Sequence, residues 1–305
     1  MRLTFSDEAA LSPCVLALGM FDGVHTGHAW LLRTAREWGS LEKLPVVVCT
    51  FFKHPLAVLK PEAAPPMLST VPERAARMAQ LKADALAVLP FDREIMNMPP
   101  QKFVRRLVDS FRPRHVVVGF NYTFGAGGEG DAKLLKKMGK VLGFDVHVVS
   151  PVQVDGQTVS SSRVRSLLEQ GDVEQACKLL ERPYSVAGLV ESGKGIGRKL
   201  GFPTANVVIP KRKALPAFGI YIASVKTKKG LFPAVVSLGR HPTLPEGGIT
   251  LEAHLINRSE NLYGQKVRIK FLRHIRPEIK FDDVQSLKTQ IAHDVMEAKE
   301  YFRIR

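Results

Sequence analysis

The sequence predicts an α/β protein: a parallel sheet covered by helices, then an antiparallel β-barrel or sandwich, then one last helix. Short apolar runs alternate with helical patterns up to Arg182, and from Pro183 onward β-rich segments follow one another without a helix pattern between them. The chain finishes with an amphipathic run. At 305 residues it is long enough for about two domains, which we predict at 1–182 and 183–305.

The first half alternates strand candidates with helix candidates. The strand candidates are apolar runs at Val15–Leu18, Val46–Thr50, Ala85–Leu89, His115–Gly119 and Val146–Val149. The helix candidates carry apolar residues at helical spacing over Gly27–Trp38, Pro72–Lys82, Gln101–Phe111 and Ala132–Leu142. In a parallel sheet of this kind, ligands bind at the carboxyl ends of the strands, near a topological switch point.

The second half is predicted to be mostly β-structure. Its strand candidates are Tyr184–Val190, Ile220–Lys226, Phe232–Leu238, Thr250–Ile256 and Val267–Leu272. Turns are predicted at Lys229–Gly230 and Gly247–Gly248, and a last helix over roughly Val284 to Tyr301. Because no helix pattern separates the strands, an antiparallel barrel or sandwich is favoured.

Composition excludes several classes of protein. Hydrophobic residues make up 45% and charged residues 24%, as in ordinary globular domains, and no apolar run approaches the ~18 residues of a membrane span. The apolar stretch Cys14–Phe21 follows Asp7 and Glu8, so it is not predicted to be a signal peptide. The three cysteines are far apart among apolar residues, which indicates reduced core thiols in a cytoplasmic protein.

The net charge of +15 is concentrated in the second half. Lys and Arg outnumber Asp and Glu by 23 to 19 up to Arg182, and by 21 to 10 after it. Such a basic half suits phosphorylated small molecules or nucleic acid. The clusters Lys211–Lys213 and Lys226–Lys229 have few aromatic residues for base stacking, so we expect no nucleic-acid partner.

A histidine motif follows the first predicted strand. In GMFDGVHTGH, Gly19 to His28, both His25 and His28 fall in the turn that leads into the first helix. Backbone N–H groups at a helix start favour an anion, and neighbouring imidazoles can donate hydrogen bonds to phosphate oxygens. The motif predicts a phosphate site; the alternative is a helix start capped by local polar groups.

A second motif, VSSSRVR, spans Val159 to Arg165. Its serines precede an apolar-periodic run, which is the signature of a helix N-cap, and its arginines make a phosphate contact plausible as well. The pair Gly171–Asp172 is predicted to separate this helix from a second one that ends near Leu180.

The stretch GRKLGFPTAN, Gly197 to Asn206, has the composition of a phosphate cradle. Glycines let the backbone approach a ligand, and Thr204 and Asn206 offer oxygen ligands for hydrated Mg²⁺. Basic residues that could reach phosphate oxygens are Lys194, Arg198 and Lys199. An ordinary glycine turn is the alternative.

A P-loop is excluded at the same place. Gly188 to Lys194 matches its glycine and lysine spacing, but Gly195 stands where Ser or Thr is needed. No helix pattern follows.

Glu252 is a candidate general base. It lies in LEAHLI, where alternation predicts that Glu252, His254 and Ile256 share one face of a strand. The opposite face would carry Leu251, Ala253 and Leu255. An exposed acid or ion-pair partner is the alternative.

Taken together, these motifs resemble the prokaryotic bifunctional riboflavin kinase/FMN adenylyltransferases, also called FAD synthetases. The resemblance runs through essentially the whole chain, and the order and spacing of the motifs make it specific. Further motifs that carry it are TFFKHP (Thr50–Pro55), GFNYTFG (Gly119–Gly125), PAFGIY (Pro216–Tyr221), SLGRHPT (Ser237–Thr243), NLYG (Asn261–Gly264) and RPEIKFDD (Arg276–Asp283).

The resemblance implies a two-step cytoplasmic enzyme. A Rossmann-like nucleotidyltransferase domain over 1–182 would join AMP from ATP to FMN, releasing pyrophosphate and giving FAD. A β-barrel riboflavin kinase domain with a terminal helix, over 183–305, would make that FMN from riboflavin and ATP. The implied cofactor is Mg²⁺, and the implied partners are riboflavin, FMN, FAD and ATP. We expect no nucleic-acid or membrane partner and a monomer or weak oligomer.

The resemblance also implies roles for single residues. Catalytic roles fall on His25 and His28 in the adenylyl-transfer site and on Glu252 as the kinase base, and metal binding falls on Thr204 and Asn206. The implied nucleotide contacts are Gly19, Phe21, Asp22, Asn121, Ser161, Ser162, Arg165, Gly193, Lys194, Arg198, Gly201, Pro203 and Thr204. The implied flavin contacts are Tyr263 and Arg276.

Four residues depart from the usual family pattern: Met20, Phe52, Lys53 and Ser237. They bear on substrate contacts and on the rate of adenylylation, not on the type of reaction.

The histidine motif is shared with other adenylyl- and cytidylyltransferases and with class I aminoacyl-tRNA synthetases. The barrel sequence argues for a flavin acceptor, because it would supply FMN in the same chain. The sequence has no KMSKS segment and is short for a synthetase.

Overall fold

The computed structural model describes residues 1–4, 13–193, 195–240, 248–258 and 260–304. The chain divides into two compact units, Met1–Ser161 and Ser162–Arg305. The first is α/β and the second is mainly β, which confirms the predicted fold class. Two helices that precede residue 183 are grouped with the second unit.

The first unit is a six-stranded parallel sheet. Its strands are β1 (Arg2–Thr4), β2 (Cys14–Leu18), β3 (Val46–Phe51), β4 (Ala85–Leu89), β5 (Pro113–Gly119) and β6 (Asp145–Val149). Across the sheet their order is β1-β4-β3-β2-β5-β6. The chain runs outward from β2 to β4 and then crosses to β5 on the other side of β2. The topological switch point therefore lies between β2 and β5.

Helices cover both faces of this sheet. The helices of this unit are α1 (Thr26–Glu42), α2 (Leu56–Leu59), α3 (Val71–Gln80), α4 (Arg93–Met96), α5 (Pro100–Phe111) and α6 (Ala132–Leu142). Even-numbered residues of β2 pack with α5 and α6 in one apolar core, and odd-numbered residues pack with α1 and α3 in another. A strand buried on both faces requires this arrangement, because successive side chains point to opposite sides.

A short hairpin leads out of the first unit. It consists of β7 (Gln153–Val154) and β8 (Gln157–Thr158), and its two turn residues both have positive φ, as a tight two-residue turn requires. Helices α7 (Ser161–Glu169) and α8 (Val173–Leu180) follow. The predicted break between them at Gly171–Asp172 is confirmed.

The second unit contains a closed six-stranded antiparallel barrel with the order β10-β13-β12-β11-β14-β9. Its strands are β9 (Ser185–Glu191), β10 (Ala205–Val207), β11 (Gly219–Lys226), β12 (Leu231–Gly239), β13 (Thr250–Leu255) and β14 (Lys266–Arg276). Helix α9 (Ile196–Leu200) lies between β9 and β10, and α10 (Val284–Phe302) ends the chain. Ala298 of α10 joins Ile222 and Val235 in an apolar cluster on the barrel.

Differences from the predicted elements arise where segments are short. The expectation that no helix interrupts the second half is wrong: α9 does so, but its five residues are too few to display an apolar stripe. The three-residue strands β1 and β10 carry no readable periodicity either. Ile256 does not share the face of Glu252, because it lies past the end of β13 and is buried.

The hairpin turn at Lys229–Gly230 is confirmed by a bond from the Thr227 N–H to the Gly230 carbonyl oxygen. The turn predicted at Gly247–Gly248 is not testable, since Gly247 lies outside the described residues.

All three cysteines are free; Cys14 and Cys49 are buried, whereas Cys177 is half-buried. Within the described ranges, no helix is both long and apolar enough to cross a membrane.

Candidate functional sites

The histidine motif begins at the carboxyl end of β2, and Asn121 follows the carboxyl end of the neighbouring strand β5. Both therefore lie at the switch point, where open α/β sheets bind ligands. Asn121 is exposed there.

The loop before His25 is strained. Phe21, Gly23 and Val24 all have positive φ, of 48°, 78° and 43°. Glycine adopts such values freely, but for a β-branched residue they cost on the order of 1–3 kcal/mol. Strain of this size persists only where the surroundings impose it, and it clusters at functional sites.

Asp22 helps to impose that conformation. Its carboxylate is 1% exposed and accepts hydrogen bonds from the backbone N–H groups of Leu68 and Ser69, at 2.9 and 3.0 Å. The Ser69 hydroxyl donates to the same carboxylate at 3.0 Å and accepts from the Gly23 N–H at 2.8 Å. Because the Asp22 carboxylate and the Phe21 ring are both buried, nucleotide contacts predicted for these residues would come from their backbone.

The two histidines of the motif stack on each other, with ring centroids 3.8 Å apart. His25 is the N-cap of α1, and its Nδ1 accepts a hydrogen bond from the His28 backbone N–H at 3.4 Å. Burial, and secondly the charge of His25, lowers the pKa of His28 well below 6.5, so His28 is a neutral imidazole near pH 7. Its Nδ1 is buried and finds no hydrogen-bond partner in the described part of the chain.

Ser161 of the VSSSRVR motif contacts the histidine motif. Its hydroxyl donates to the backbone carbonyl of Asp22 at 2.9 Å across 139 positions of sequence. Ser162 is exposed and Arg165 is buried, and both belong to the second unit.

The stretch that contains Thr204 and Asn206 meets Glu252 through strand pairing. The Thr204 hydroxyl donates to Oε2 of Glu252 at 2.8 Å. Asn206 lies directly opposite Glu252 in the β10–β13 register, and Ser237 lies opposite it on β12. The predicted base, Glu252, thus lies between the predicted metal ligand Asn206 and Ser237, which departs from the family pattern.

The glycine-rich loop folds back on itself around α9. Gly195 precedes the helix and Gly201 follows it, both with positive φ, and the Phe202 N–H donates to the Gly197 carbonyl at 2.8 Å. A Cβ on Gly193 would lie 2.1 Å from the side-chain nitrogen of Asn206, so only glycine allows this approach. Arg198 is exposed beside the loop, as is Pro203; Lys194 lies outside the described residues.

His254 is a site residue whose role sequence reasoning missed. Its Nδ1 is 2.9 Å from the carbonyl oxygen of Pro203, and its ring meets Phe202 edge-on at 5.6 Å. It therefore anchors the segment that leads to Thr204. The available signal was its place two residues after Glu252 on the same face of β13.

The two residues predicted to contact the flavin, Tyr263 and Arg276, differ in their exposure and in their contacts. Tyr263 is half exposed. The guanidinium of Arg276 binds both carboxylate oxygens of the buried Asp294 on α10, at 2.9 and 2.6 Å, and its Nη1 donates to the Pro277 carbonyl. Arg276 thus ties the end of β14 to α10.

Comparisons with known proteins match two successive parts of this chain to two different families. Residues 7–163 match the family model for FAD synthetase, and residues 180–302 match that for riboflavin kinase. The chain is 36% identical over 298 residues to the bifunctional riboflavin kinase/FMN adenylyltransferase of Escherichia coli (strain K12), covering 97% of this chain and 95% of that protein. It is 32% identical over 295 residues to the protein of the same name from Bacillus subtilis (strain 168), covering 94% and 92%.

A solved structure also resembles this chain. The crystal structure titled "Macrolide-efflux Protein from Streptococcus pneumoniae" aligns with a TM-score of 0.90 at 28% identity, covering 98% of this chain and 99% of that one.

Proposed function

This chain belongs to the family of bifunctional riboflavin kinase/FMN adenylyltransferases, and we propose that each of the two sites described above carries one of its reactions. The chain is a transferase that uses ATP to convert riboflavin into FMN and then FMN into FAD. The histidine motif lies within the FAD synthetase match, and Thr204 and Glu252 lie within the riboflavin kinase match. The observation that carries the kinase assignment is the 2.8 Å bond between those two side chains.

In the kinase step, Glu252 accepts the proton of the ribityl hydroxyl as that oxygen attacks the γ-phosphorus of ATP. The Thr204 hydroxyl holds the carboxylate in place by donating to Oε2. A base positioned in this way contributes about 10²–10⁴ in rate. No covalent intermediate is needed, because phosphoryl transfer depends on positioning and charge stabilisation.

The donor set in the kinase site fits Mg²⁺. A hydroxyl has one hydrogen and two lone pairs, so Thr204 can donate to Glu252 and still bind a cation. Asn206 follows two residues later, on β10, opposite Glu252. Among the described residues, no group of three or more His, Cys, Asp or Glu could hold a metal. Few protein ligands plus substrate phosphates are typical of Mg²⁺, which when bound neutralises charge on the transferred phosphoryl group.

In the adenylylation step, His25 and His28 stabilise negative charge that grows on the α-phosphate. Because Nδ1 of His25 accepts the His28 backbone N–H, a neutral His25 ring carries its proton on Nε2 and can donate it to a phosphate oxygen. The start of α1 adds backbone N–H groups beside the rings. Losing one such donor typically costs about 10²–10³ in rate.

The remaining assignments follow from the resemblance. Residues 1–182 carry adenylylation and 183–305 carry riboflavin phosphorylation; the protein works in the cytoplasm as a monomer or weak oligomer, without nucleic-acid or membrane partners. Further nucleotide contacts are assigned to Gly19, Asn121, Ser161, Ser162 and Arg165 in the adenylylation site and to Gly193, Lys194, Arg198, Gly201 and Pro203 in the kinase site. Tyr263 and Arg276 are assigned to the flavin.

The direct test of the metal is incubation of the protein with riboflavin and ATP, with and without Mg²⁺, followed by chromatography of the flavins. We expect FMN and then FAD when Mg²⁺ is present, and neither when a chelator removes it. Unchanged product formation in the chelator would contradict the metal assignment while leaving the two reactions in place.

A further inference from the structure

Arg74 is buried in a position that normally holds an apolar side chain. It lies on the core-facing stripe of α3 with Val71 and Met78, and it is 1% exposed. A buried guanidinium needs partners for its charge and its N–H groups, because leaving them unpaired away from water is costly.

The partners of its two terminal nitrogens lie at the carboxyl edge of the sheet, whereas its Nε finds none among the described residues. Nη1 of Arg74 donates to the carbonyls of Met20 and Phe51, at 3.2 and 2.9 Å, and to the Thr50 hydroxyl at 3.1 Å. Nη2 donates to the carbonyl of Phe52 at 3.2 Å. The Thr50 hydroxyl in turn donates to the Met20 carbonyl at 2.9 Å. One guanidinium thus joins the carboxyl end of β3 to the first residues after β2.

The residues just before α3 contact the loop before His25 at a second point. Leu68 and Ser69, just before α3, hold the Asp22 carboxylate, and Thr70 fixes the start of α3 through a reciprocal capping box with Glu73. Residues 68–74 therefore form a bracket around Phe21: Arg74 binds Met20 on one side, and Leu68 and Ser69 bind Asp22 on the other. Burial lowers the pKa of the Arg74 guanidinium, and the nearby Asp22 carboxylate opposes that shift, so the loop that the bracket holds supplies a counter-charge for Arg74.

We propose that Arg74 is a positioning residue for adenylyl transfer, which fixes the backbone that carries His25 and His28. Its hydrogen bonds go to the Thr50 hydroxyl and to backbone carbonyls at the carboxyl ends of β2 and β3, where the loop before His25 begins. Lysine cannot reproduce them, because a single ammonium lacks the planar fork that reaches acceptors on two chain segments at once. The inference rests on the adenylylation role proposed for the histidine motif.

The test compares Arg74→Lys and Arg74→Ala with the matched control Arg77→Ala. Arg77 lies on the same helix, and its guanidinium reaches Gln80 at the exposed surface. Conversion of FMN to FAD and of riboflavin to FMN are measured separately, on protein shown by circular dichroism and thermal unfolding to be folded. We expect kcat for FAD formation to fall by about 10–100-fold in both Arg74 variants, since a misplacement near 1 Å costs up to about 10²-fold. We expect a smaller change in KM for ATP, and wild-type riboflavin kinase activity throughout.

Chemical rescue separates positioning from mere stability. Free guanidinium at low millimolar concentration should restore part of the FAD-forming activity of Arg74→Ala, but none of that of His28→Ala. Wild-type kcat in both folded Arg74 variants would overturn the inference. So would a folded Arg74→Ala that guanidinium does not rescue, or a loss shared equally by both reactions. If Arg74→Ala does not fold, the kcat of Arg74→Lys for FAD formation is the test: a fall supports the inference, and a wild-type value overturns it. Failure of the wild-type protein to make FAD would instead refute the role of the histidine motif itself.

Discussion

The hydroxyl of Thr204 donates a hydrogen bond to the carboxylate of Glu252, 48 positions away in the sequence, at 2.8 Å. The antiparallel pairing of β10 with β13 brings them together, with Asn206 directly opposite Glu252. Because Thr204 directly precedes β10 and Glu252 lies on β13, this pairing places the proposed metal ligand beside the proposed base.

Thr204→Val keeps the volume of the side chain but removes its hydroxyl. We expect riboflavin phosphorylation to fall by at least about 10²-fold, because the variant loses both the bond that orients Glu252 and a proposed metal ligand. Thr204→Ser retains the hydroxyl and should keep most of the activity. Equal activity of the two variants in a riboflavin kinase assay would contradict the dual role of this hydroxyl.

Gly193→Ala tests whether Asn206 must stay in place. The added methyl would lie 2.1 Å from the Asn206 side-chain nitrogen, so the amide has to move. We expect kinase activity to fall by roughly 10-fold or more while FMN is still converted to FAD. Gly248→Ala is the control, because a methyl there meets nothing within 4 Å. Full kinase activity in Gly193→Ala would show that the position of Asn206 is not critical.

The state of His28 predicts a pH dependence of stability. Burial lowers its pKa well below the value of 6.5 that it has when exposed, so the unfolded chain binds a proton there that the folded protein excludes. Its contribution to stability is therefore complete above about pH 6.5 and is lost as the pH falls below that value. We expect thermal unfolding midpoints at about pH 7.5 and pH 5.5 to differ more in the wild type than in His28→Gln. The same difference in both proteins would contradict a buried neutral His28.

Truncation tests where the kinase part begins. Helix α8 packs against β14, and the Ala217 N–H donates to the Leu168 carbonyl of α7 at 2.7 Å. We therefore expect the fragments 183–305 and 162–305 both to phosphorylate riboflavin, with a higher unfolding midpoint for the longer one. A folded but inactive 183–305 fragment would refute the predicted division, and equal midpoints would mean that α7 and α8 add no stability.

Sequence reasoning reached the parallel sheet and the identity of the family because these depend on local signals. Ala85–Leu89 and Ala132–Leu142 coincide with the observed strand and helix, since the first is a continuous apolar run and the second carries apolar residues at helical spacing. The order and spacing of the motifs then pointed to two ATP-dependent sites.

The contacts that build the sites were not predictable in the same way. The contact between Thr204 and Glu252 depends on the register of two distant strands. The contact between Asp22 and Ser69 depends on how two distant loops pack together. The three residues of β10 gave no pattern. Arg74 did leave a signal, a charge at a core-facing position of an amphipathic helix, but only its partners revealed what it holds.

The most direct test of two separate sites in one chain uses Glu252→Gln and His28→Ala, each given riboflavin or FMN with ATP and Mg²⁺, with the flavins separated by chromatography. We expect Glu252→Gln to leave riboflavin unconverted but to turn supplied FMN into FAD. We expect His28→Ala to accumulate FMN and form about 10²–10³ times less FAD than the wild type. Loss of both reactions in either folded variant, or loss of neither, would contradict the assignment of the two reactions to these residues.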